Sequence, residues 1–267
     1  MVTPDDRGAP KADDRGGTAP GDELEVTHDR LLGGRVALAQ PRHGYRAAVD
    51  PVLLAAAVPL QPGEHALELG CGAGAAALCL LARVPDGRVT GLEQQSALAR
   101  LARDNAAANG AGERLNVHAG DLLDPPAAIG RGGFDHAFAN PPYLAAGTAD
   151  APADPLRAAA NMEGAARLPH WIAGLARATR RGGTLTVIHR ADRLPELLAE
   201  LQRVAGGLVA YPLWPAAGTP AKRVLVQGRV GVGGPARLAP GLTLHAGGGF
   251  TPEARAVLEE AAALKLR

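Results

Sequence analysis

Several residue types are scarce in this chain of 267 residues, and their scarcity narrows what it can be. It has only two cysteines, Cys71 and Cys79, eight residues apart and without a Cys-x-x-Cys pair or a Cys/His cluster. Neither a disulfide framework nor a zinc site is indicated, and we expect no metal. Aromatic residues make up 3% of the chain, too few for the interleaved aromatic and basic pattern of an RNA-binding platform.

Long hydrophobic runs are also missing. No stretch approaches the ~20 apolar residues of a membrane span, and the start, MVTPDDRGAPKADDRGG, lacks the apolar region of a signal peptide. We therefore expect a cytoplasmic protein with no membrane partner. The net charge is +1, which argues against strong nonspecific binding to nucleic acid. It is unevenly spread: residues 1–27 carry 3 basic and 7 acidic groups (−4), and the other 240 carry 25 and 20 (+5).

The composition is that of a soluble globular protein, with 46% hydrophobic and 21% charged residues. Residues 1–26 combine Pro, Gly, Asp and Arg with almost no apolar periodicity, which predicts a disordered tail. Residues 27–60 form an N-terminal segment, residues 61–230 the main α/β domain, and residues 231–267 a C-terminal strand and helix that pack on it. The length suits one domain with such additions.

The two ends of the chain outside the main domain contain helix and hairpin signals. The segment LLGGRVALAQPRHGYR (31–46) predicts a short hairpin or an extended stretch. Asp50 as N-cap and Pro51 at the first helical position predict a helix that ends at Pro59. In the same way Thr251 and Pro252 predict a terminal helix over TPEARAVLEEAAALKLR.

Short apolar strands alternate with Ala/Leu-rich helices along the main domain, a pattern typical of a parallel, doubly wound sheet. Ligands of such sheets bind beyond the carboxyl ends of the strands. We expect antiparallel strands at one edge. The predicted strands are HALEL (65–69), RVTGLE (88–93), RLNVHAG (114–120), FDHAFAN (134–140), GTLTVIHR (183–190), YPLWP (211–215), AKRVLVQGRV (221–230) and LTLHA (242–246). The predicted helices lie near 75–83, 95–109, 155–178 and 194–205.

A glycine-rich loop, Gly70-Cys71-Gly72-Ala73-Gly74, follows the first of these strands. Alternating glycines let the backbone turn tightly and approach a ligand, and the helix N-terminus behind them offers free N–H groups. The loop also matches the dinucleotide-binding pattern when it is aligned as Gly70-x-Gly72-x-x-Ala75, and Glu93 at the end of the next strand could then bind a ribose. It predicts a nucleoside-containing cofactor without saying which.

Two further carboxylates favour S-adenosylmethionine over NAD. Glu68 lies just before the first glycine, where a pyrophosphate site normally has no acid and where the cationic end of S-adenosylmethionine would be accommodated. Asp121, followed by Leu122, ends the third strand, where a carboxylate can accept a hydrogen bond from the adenine amino group.

The segment Asn140-Pro141-Pro142-Tyr143 ends the fourth strand and therefore faces the same pocket. Two prolines fix the backbone and leave carbonyl oxygens free as acceptors. If the Asn140 side-chain oxygen and the Pro141 carbonyl accept the two N–H groups of a conjugated amine, its nitrogen can present a lone pair to a methyl group. Tyr143 supplies a flat face for stacking, and a base inside a duplex would first have to flip out.

These residues resemble the class I methyltransferases that carry Asn-Pro-Pro-Tyr, and among them the bacterial valine-tRNA adenine N6-methyltransferases. The likeness covers most of residues 27–230, including LELGCGAGAAALCLLARVP, GLEQQ, RGGTLTVIHRADRLPELL and AKRVLVQGR. It implies a Rossmann-like, seven-stranded, mostly parallel sheet with an N-terminal extension over the cofactor. The implied catalytic residues are Asn140, Pro141, Pro142 and Tyr143. The implied S-adenosylmethionine contacts are Tyr45, Arg46, Asp50, Glu68, Gly70, Cys71, Gly72, Gly74, Glu93, Gln94, Asp121, Leu122 and Asn140.

The resemblance also implies a substrate, an adenine of tRNA, methylated at N6. Basic residues that would hold the RNA are Arg30, Arg35, Arg42, Arg46, Arg180, Arg181, Lys222 and Arg223. A protein glutamine N5-methyltransferase uses the same motif on a carboxamide, although residues 1–60 are too short for its usual N-terminal domain. Guanine N2 methylation of rRNA, an NAD-dependent oxidoreductase and a noncatalytic S-adenosylmethionine-binding protein remain alternatives.

Overall fold

A twisted central sheet organises the chain in the computed structural model, which describes residues 24–43, 46–142 and 165–266. Six helices are described: α1 (Val49–Ala57), α2 (Ala75–Arg83), α3 (Ser96–Ala108), α4 (Leu168–Ala178), α5 (Leu194–Gln202) and α6 (Pro252–Glu260). The strands before α4 are β1 (Val26–Leu31), β2 (Val36–Pro41), β3 (His65–Leu69), β4 (Arg88–Glu93), β5 (Leu115–Ala119) and β6 (Phe134–Ala139). Those after it are β7 (Thr179–Arg190), β8 (Ala205–Ala216), β9 (Arg223–Val230), β10 (Arg237–Leu238), β11 (Leu242–Ala246) and β12 (Gly249–Phe250).

The strands of the main sheet follow the order β12-β11-β8-β9-β7-β6-β3-β4-β5, and β10 pairs with β8. Strands β3 to β7 run parallel, whereas β9 is antiparallel to both neighbours, β7 and β8. The parallel strands need crossover helices, which the Ala/Leu-rich segments supply. The predicted mostly parallel, doubly wound sheet is thus confirmed.

The C-terminal part of the sheet differs from the prediction of seven strands. The three short strands β10, β11 and β12 extend it to ten. Strands β10 and β11 are parallel to β8 rather than antiparallel, because the chain returns once after β9 and then follows the edge of β8 through both of them; of these three strands only β12 reverses. β7 also begins four residues earlier than predicted, since Thr179 already pairs with Phe134.

Two apolar layers cover the sheet. One buried cluster joins the sheet to α1, α2, α3 and α6, and the other joins it to α4 and α5. Because both faces are covered, the central strands are apolar on both sides, and Leu67, Ala137 and Val187 are fully buried. The ends of these strands lie at the two edges where the chain enters and leaves the sheet.

A hairpin is present but begins earlier than the segment predicted for it: β1 precedes that segment except for Leu31, and β2 lies within it, the two strands pairing antiparallel beside α3. Among the described residues the outer edge of β2 has no neighbouring strand, and it is bonded instead by Asn105 of α3 and by Asn109, which caps this helix. Asn109 accepts from the Ala37 N–H at 2.9 Å and donates to its carbonyl at 2.7 Å, and Asn105 does the same for Ala39 at 2.8 Å each. Side-chain amides thus replace the strand that would satisfy these backbone groups.

Two helix predictions need correction. α1 begins at Val49 with Ala48 as N-cap, and Asp50 lies in the first turn because its carboxylate pairs with Arg223 instead. α6 ends at Glu260 rather than at the chain terminus, since Ala261 adopts a left-handed conformation (φ 61°). The following residues turn back, and the Leu264 N–H donates to the Ala56 carbonyl of α1 at 2.8 Å. The predicted tail, residues 1–26, lies almost entirely outside the described residues.

No helix in the described ranges is long and apolar enough to cross a bilayer.

Candidate active site

The glycine loop between β3 and α2 has the backbone that its sequence predicts. Gly70, Gly72 and Gly74 have φ values of 68°, 54° and 85°, which residues with a Cβ rarely adopt. The Gly70 N–H donates to the Leu92 carbonyl at 2.7 Å, which ties the loop to β4. A Cβ placed on Gly72 would meet nothing within 4 Å. The middle of the loop is therefore open to a ligand.

Glu93 organises this loop from the end of β4. One carboxylate oxygen accepts from the Gly72 N–H and the other from the Gln95 N–H, both at 2.9 Å. Burial raises the pKa of Glu93, although these bonds oppose that effect. Each carboxylate oxygen has a second lone pair, so Glu93 can also accept from a ribose hydroxyl without leaving the loop.

Glu68 faces the helix behind the loop. It is 4% exposed, and its carboxylate accepts from the Ala77 N–H in the first turn of α2 at 3.0 Å. Burial raises the pKa of Glu68 well above its usual range, and the nearby Glu93 adds to this. The side chain thus caps α2, and its predicted contact with the cofactor stays a prediction.

Cys71, Gln94, Asp121 and Leu122 surround the same place. The sulfur of Cys71 packs towards Gly91 in the core, so only its backbone belongs to the loop surface. Asp121 accepts from the Leu123 N–H at 2.8 Å and from the Gln94 side chain at 3.4 Å. The ends of β4 and β5 thereby bring together three of the predicted contacts, with Asp121 and Leu122 both partly exposed.

Asn140 lies beside the glycine loop. Ala139 pairs with Leu69 in the ladder between β6 and β3, and Asn140 and Gly70 are the residues that follow. Neighbouring strands are about 4.8 Å apart, so the two residues stand side by side at the carboxyl edge. Pro141 is buried and Asn140 and Pro142 are half-buried. Tyr143 lies outside the described residues.

The N-terminal residues predicted to cover the cofactor have partners of their own. Arg46 bonds the Asp29 carboxylate at 2.8 Å and Thr27 at 2.6 Å, both on β1. Asp50 pairs with Arg223 of β9 at 2.8 Å. Since Arg223 pairs with Arg190 at the end of β7, Asp50 lies at the same edge of the sheet as Asn140. Tyr45 lies outside the described residues.

The basic residues predicted to hold RNA fall into three groups. Arg30, Arg35, Arg42 and Arg46 all bond to groups of the hairpin or its neighbours. Lys222 and Arg223 lie at the carboxyl edge with Asn140. Arg180 pairs with Asp135 near the start of β6 at 2.7 Å, five residues before Asn140. At about 3.3 Å per residue that is roughly 17 Å away, so Arg180 and the adjacent Arg181 lie at the opposite edge.

Two residues near the site were not identified from the sequence. Asn105 is 3% exposed and donates to the Ala73 carbonyl of the glycine loop at 2.9 Å. Its spacing of four from Asn109, on one face of a helix, was the available signal. Trp171 of α4 packs against Gly70. The two residues are far apart in the sequence, and no local pattern predicts their contact. Among the described residues, no group of three His, Cys, Asp or Glu could hold a metal ion.

The chain is similar to known methyltransferases. The methyltransferase small domain family matches residues 48–162. A tRNA1(Val) (adenine(37)-N6)-methyltransferase of Aeromonas hydrophila is 31% identical over 177 residues, which cover 66% of this chain and 67% of that protein. The chain belongs to this methyltransferase family. A relative of the same name from Porphyromonas gingivalis is 35% identical over 158 residues, 57% of this chain. The match spans 61% of that relative's length.

Solved structures agree on the fold of the family. A predicted O-methyltransferase of Agrobacterium tumefaciens superposes with a TM-score of 0.67 at 27% identity, covering 81% of this chain and 98% of that one. The sheet with its central parallel strands is therefore that of a class I methyltransferase.

Proposed function

We propose that this protein is an S-adenosylmethionine-dependent methyltransferase that methylates an exocyclic amino nitrogen, adenine N6 of tRNA. The observation that carries the proposal is the position of Asn140, directly beside Gly70 of the glycine loop. A group bound by Asn140 would meet a group bound by the loop. The names of the relatives support the choice of adenine and of tRNA.

The cofactor would be held by the ends of three neighbouring strands. The open backbone at Gly72 suits its amino-acid end, the spare lone pairs of Glu93 suit ribose hydroxyls, and Asp121 suits the adenine amino group. When bound, S-adenosylmethionine supplies a methyl group on a positively charged sulfur. S-adenosylmethionine has no pyrophosphate, and the carboxyl group of Glu93, which accepts from the Gly72 N–H, occupies a loop donor that a pyrophosphate would need.

The chain's own residues prepare the amine. The amide oxygen of Asn140 and the carbonyl of Pro141 would each accept one N–H of the substrate, which aims the nitrogen lone pair at the methyl group. The rigid prolines keep the two acceptors in place without loss of entropy on binding. Transfer forms the N–CH3 bond, breaks the S–CH3 bond, and releases a proton from nitrogen to water.

Methyl transfer to tRNA tests the proposal. Wild-type protein with methyl-labelled S-adenosylmethionine and unmodified tRNA should yield labelled N6-methyladenosine in the nuclease digest. Asn140→Ala should lower the rate at least about a hundredfold, as expected for loss of a group that acts in the transition state. The matched control is Asn116→Ala, an exposed asparagine of β5, which should react like wild type.

Other labelled products would identify the alternatives. Label on protein would indicate glutamine methylation, and N2-methylguanosine would indicate a guanine enzyme. A 2′-O-methyl nucleoside would indicate an O-methyltransferase, as the Agrobacterium protein is named. Binding of NAD but not S-adenosylmethionine in calorimetry would overturn the cofactor assignment. Binding of S-adenosylmethionine without any transfer would indicate a noncatalytic protein.

A further inference from the structure

One of the two tryptophans of this chain lies at the candidate cofactor site. Trp171 is in the first turn of α4, half-buried, whereas Trp214 lies in β8. α4 ends at Ala178, next to Thr179 at the start of β7, so its first turn lies at the opposite, carboxyl edge of the sheet. This is the edge where the glycine loop and Asn140 meet.

The indole ring of Trp171 occupies the place that a side chain of Gly70 would take. A Cβ built on Gly70 would lie 2.6 Å from Cη2 and 2.9 Å from Cζ3 of the indole, which is closer than two carbon atoms without a bond between them approach each other. The ring therefore packs directly on the backbone of the first loop glycine. Gly70 has a φ of 68° and no side chain, so this packing adds to the restraint that its N–H bond to the Leu92 carbonyl supplies.

The helix that carries this tryptophan is itself fixed. The Trp171 Nε1–H donates to the Ala166 carbonyl at 3.3 Å, and the next residue, Ile172, is buried against the sheet. One turn further on, a Cβ at Gly174 would lie 2.6 Å from Leu122. α4 thus touches the candidate site at two points, the glycine loop after β3 and the turn after β5.

We propose that Trp171 is a positioning residue for the cofactor and acts through Gly70. The indole holds the first glycine in the conformation that binds the cofactor, so the loop does not have to be ordered on binding. The inference rests on the proposed function, because it takes S-adenosylmethionine as the ligand of the loop.

Binding of S-adenosylhomocysteine, measured by calorimetry, tests the proposal without any methyl transfer. Trp171→Ala should raise the dissociation constant about tenfold, and Trp171→Phe, which keeps an aromatic ring on Gly70, should restore most of the affinity. Val257→Ala in α6 is the control: it removes buried contacts on the other face of the sheet and should lower the melting temperature while affinity is kept. All measurements are made where far-ultraviolet circular dichroism shows folded protein.

Fluorescence gives an independent readout that needs no change at the site. In Trp214→Phe, all tryptophan emission comes from Trp171, and saturation with S-adenosylhomocysteine should change it. In Trp171→Phe, emission from the distant Trp214 should stay constant.

Contrary results distinguish a failure of the role proposed for Trp171 from a failure of the proposed function. If wild type binds S-adenosylhomocysteine but Trp171→Ala binds equally well, or Val257→Ala weakens binding as much, the role of Trp171 is refuted and the proposed function stands. Unchanged emission from Trp214→Phe at saturation refutes it as well. If wild type itself binds no S-adenosylhomocysteine, both the proposed function and the role of Trp171 are refuted.

Discussion

Replacement of His189 by glutamine should change how the stability of this protein depends on pH. His189 lies in β7 just before the carboxyl edge and is fully buried, with its Nδ1 accepting from the Arg190 N–H at 2.8 Å. Burial lowers the pKa of His189 to about 4, and the cations Arg193 and Arg223 add to this effect. Asp192 acts in the opposite direction but more weakly.

The sign and size of the effect follow from the two pKa values. The folded protein keeps His189 neutral down to about pH 4, whereas the unfolded chain takes up a proton near 6.5. Stability is therefore complete above pH 6.5 and is lost as the pH falls towards 4. At about 1.4 kcal/mol for each pKa unit, the total is roughly 3 kcal/mol, of which about 2 kcal/mol is lost between pH 7 and pH 5.

Urea denaturation of wild type and His189→Gln at several pH values, followed by circular dichroism, measures this term. Glutamine does not titrate, so the variant should gain on wild type by about 2 kcal/mol from pH 7 to pH 5. All other groups cancel in the difference. The control His28→Gln makes the same replacement at a histidine that is exposed on β1. Parallel profiles for His189→Gln would refute the reasoning.

Three further predictions concern the loop and its supports. Asn105→Ala should lower the free energy of unfolding in urea by about 3 kcal/mol because it leaves three half-buried backbone groups, of Ala39 and Ala73, without this partner. Exposed Asn116→Ala should change it very little, and equal losses in the two variants would contradict the role of Asn105. Gly70→Ala should lower the melting temperature more than Gly110→Ala, since φ is positive at both but only the first Cβ meets the indole. Glu68→Gln should stabilise the protein at pH 8 more than at pH 5, because burial raises the pKa of Glu68 and favours its neutral form; a constant difference in melting temperature would show that Glu68 does not titrate in this range.

Much of the fold could be predicted because its signals are local. β3, β4, β11 and α2 have the predicted bounds, since apolar alternation and helix propensity change sharply at the glycine and proline breaks beside them. The predicted bounds of an element were wrong where a contact with a segment far away in the sequence sets them. α6 is shorter than its sequence pattern because the residues behind it bond to α1.

The candidate site shows the same division. The strand ends that hold Glu93, Asp121 and Asn140 were found from order and spacing alone, because parallel strands deliver their carboxyl ends to one edge. The distribution of the basic residues between the two edges of the sheet could not be predicted in this way, because it depends on which end of a strand each residue occupies. Arg180 and Arg223 look alike in sequence, yet one lies roughly 17 Å from Asn140.

By itself, then, the sequence determined the alternating architecture and the glycine loop, and it predicted the segment that would bind an amine. Each of these is set by neighbouring residues through backbone conformation and periodicity. Only the tertiary structure decided that Glu68 caps α2, that Asn105 joins the hairpin to the loop, and that Trp171 packs on Gly70. Those contacts join residues far apart in the chain, and they form only when helices and sheet are packed together.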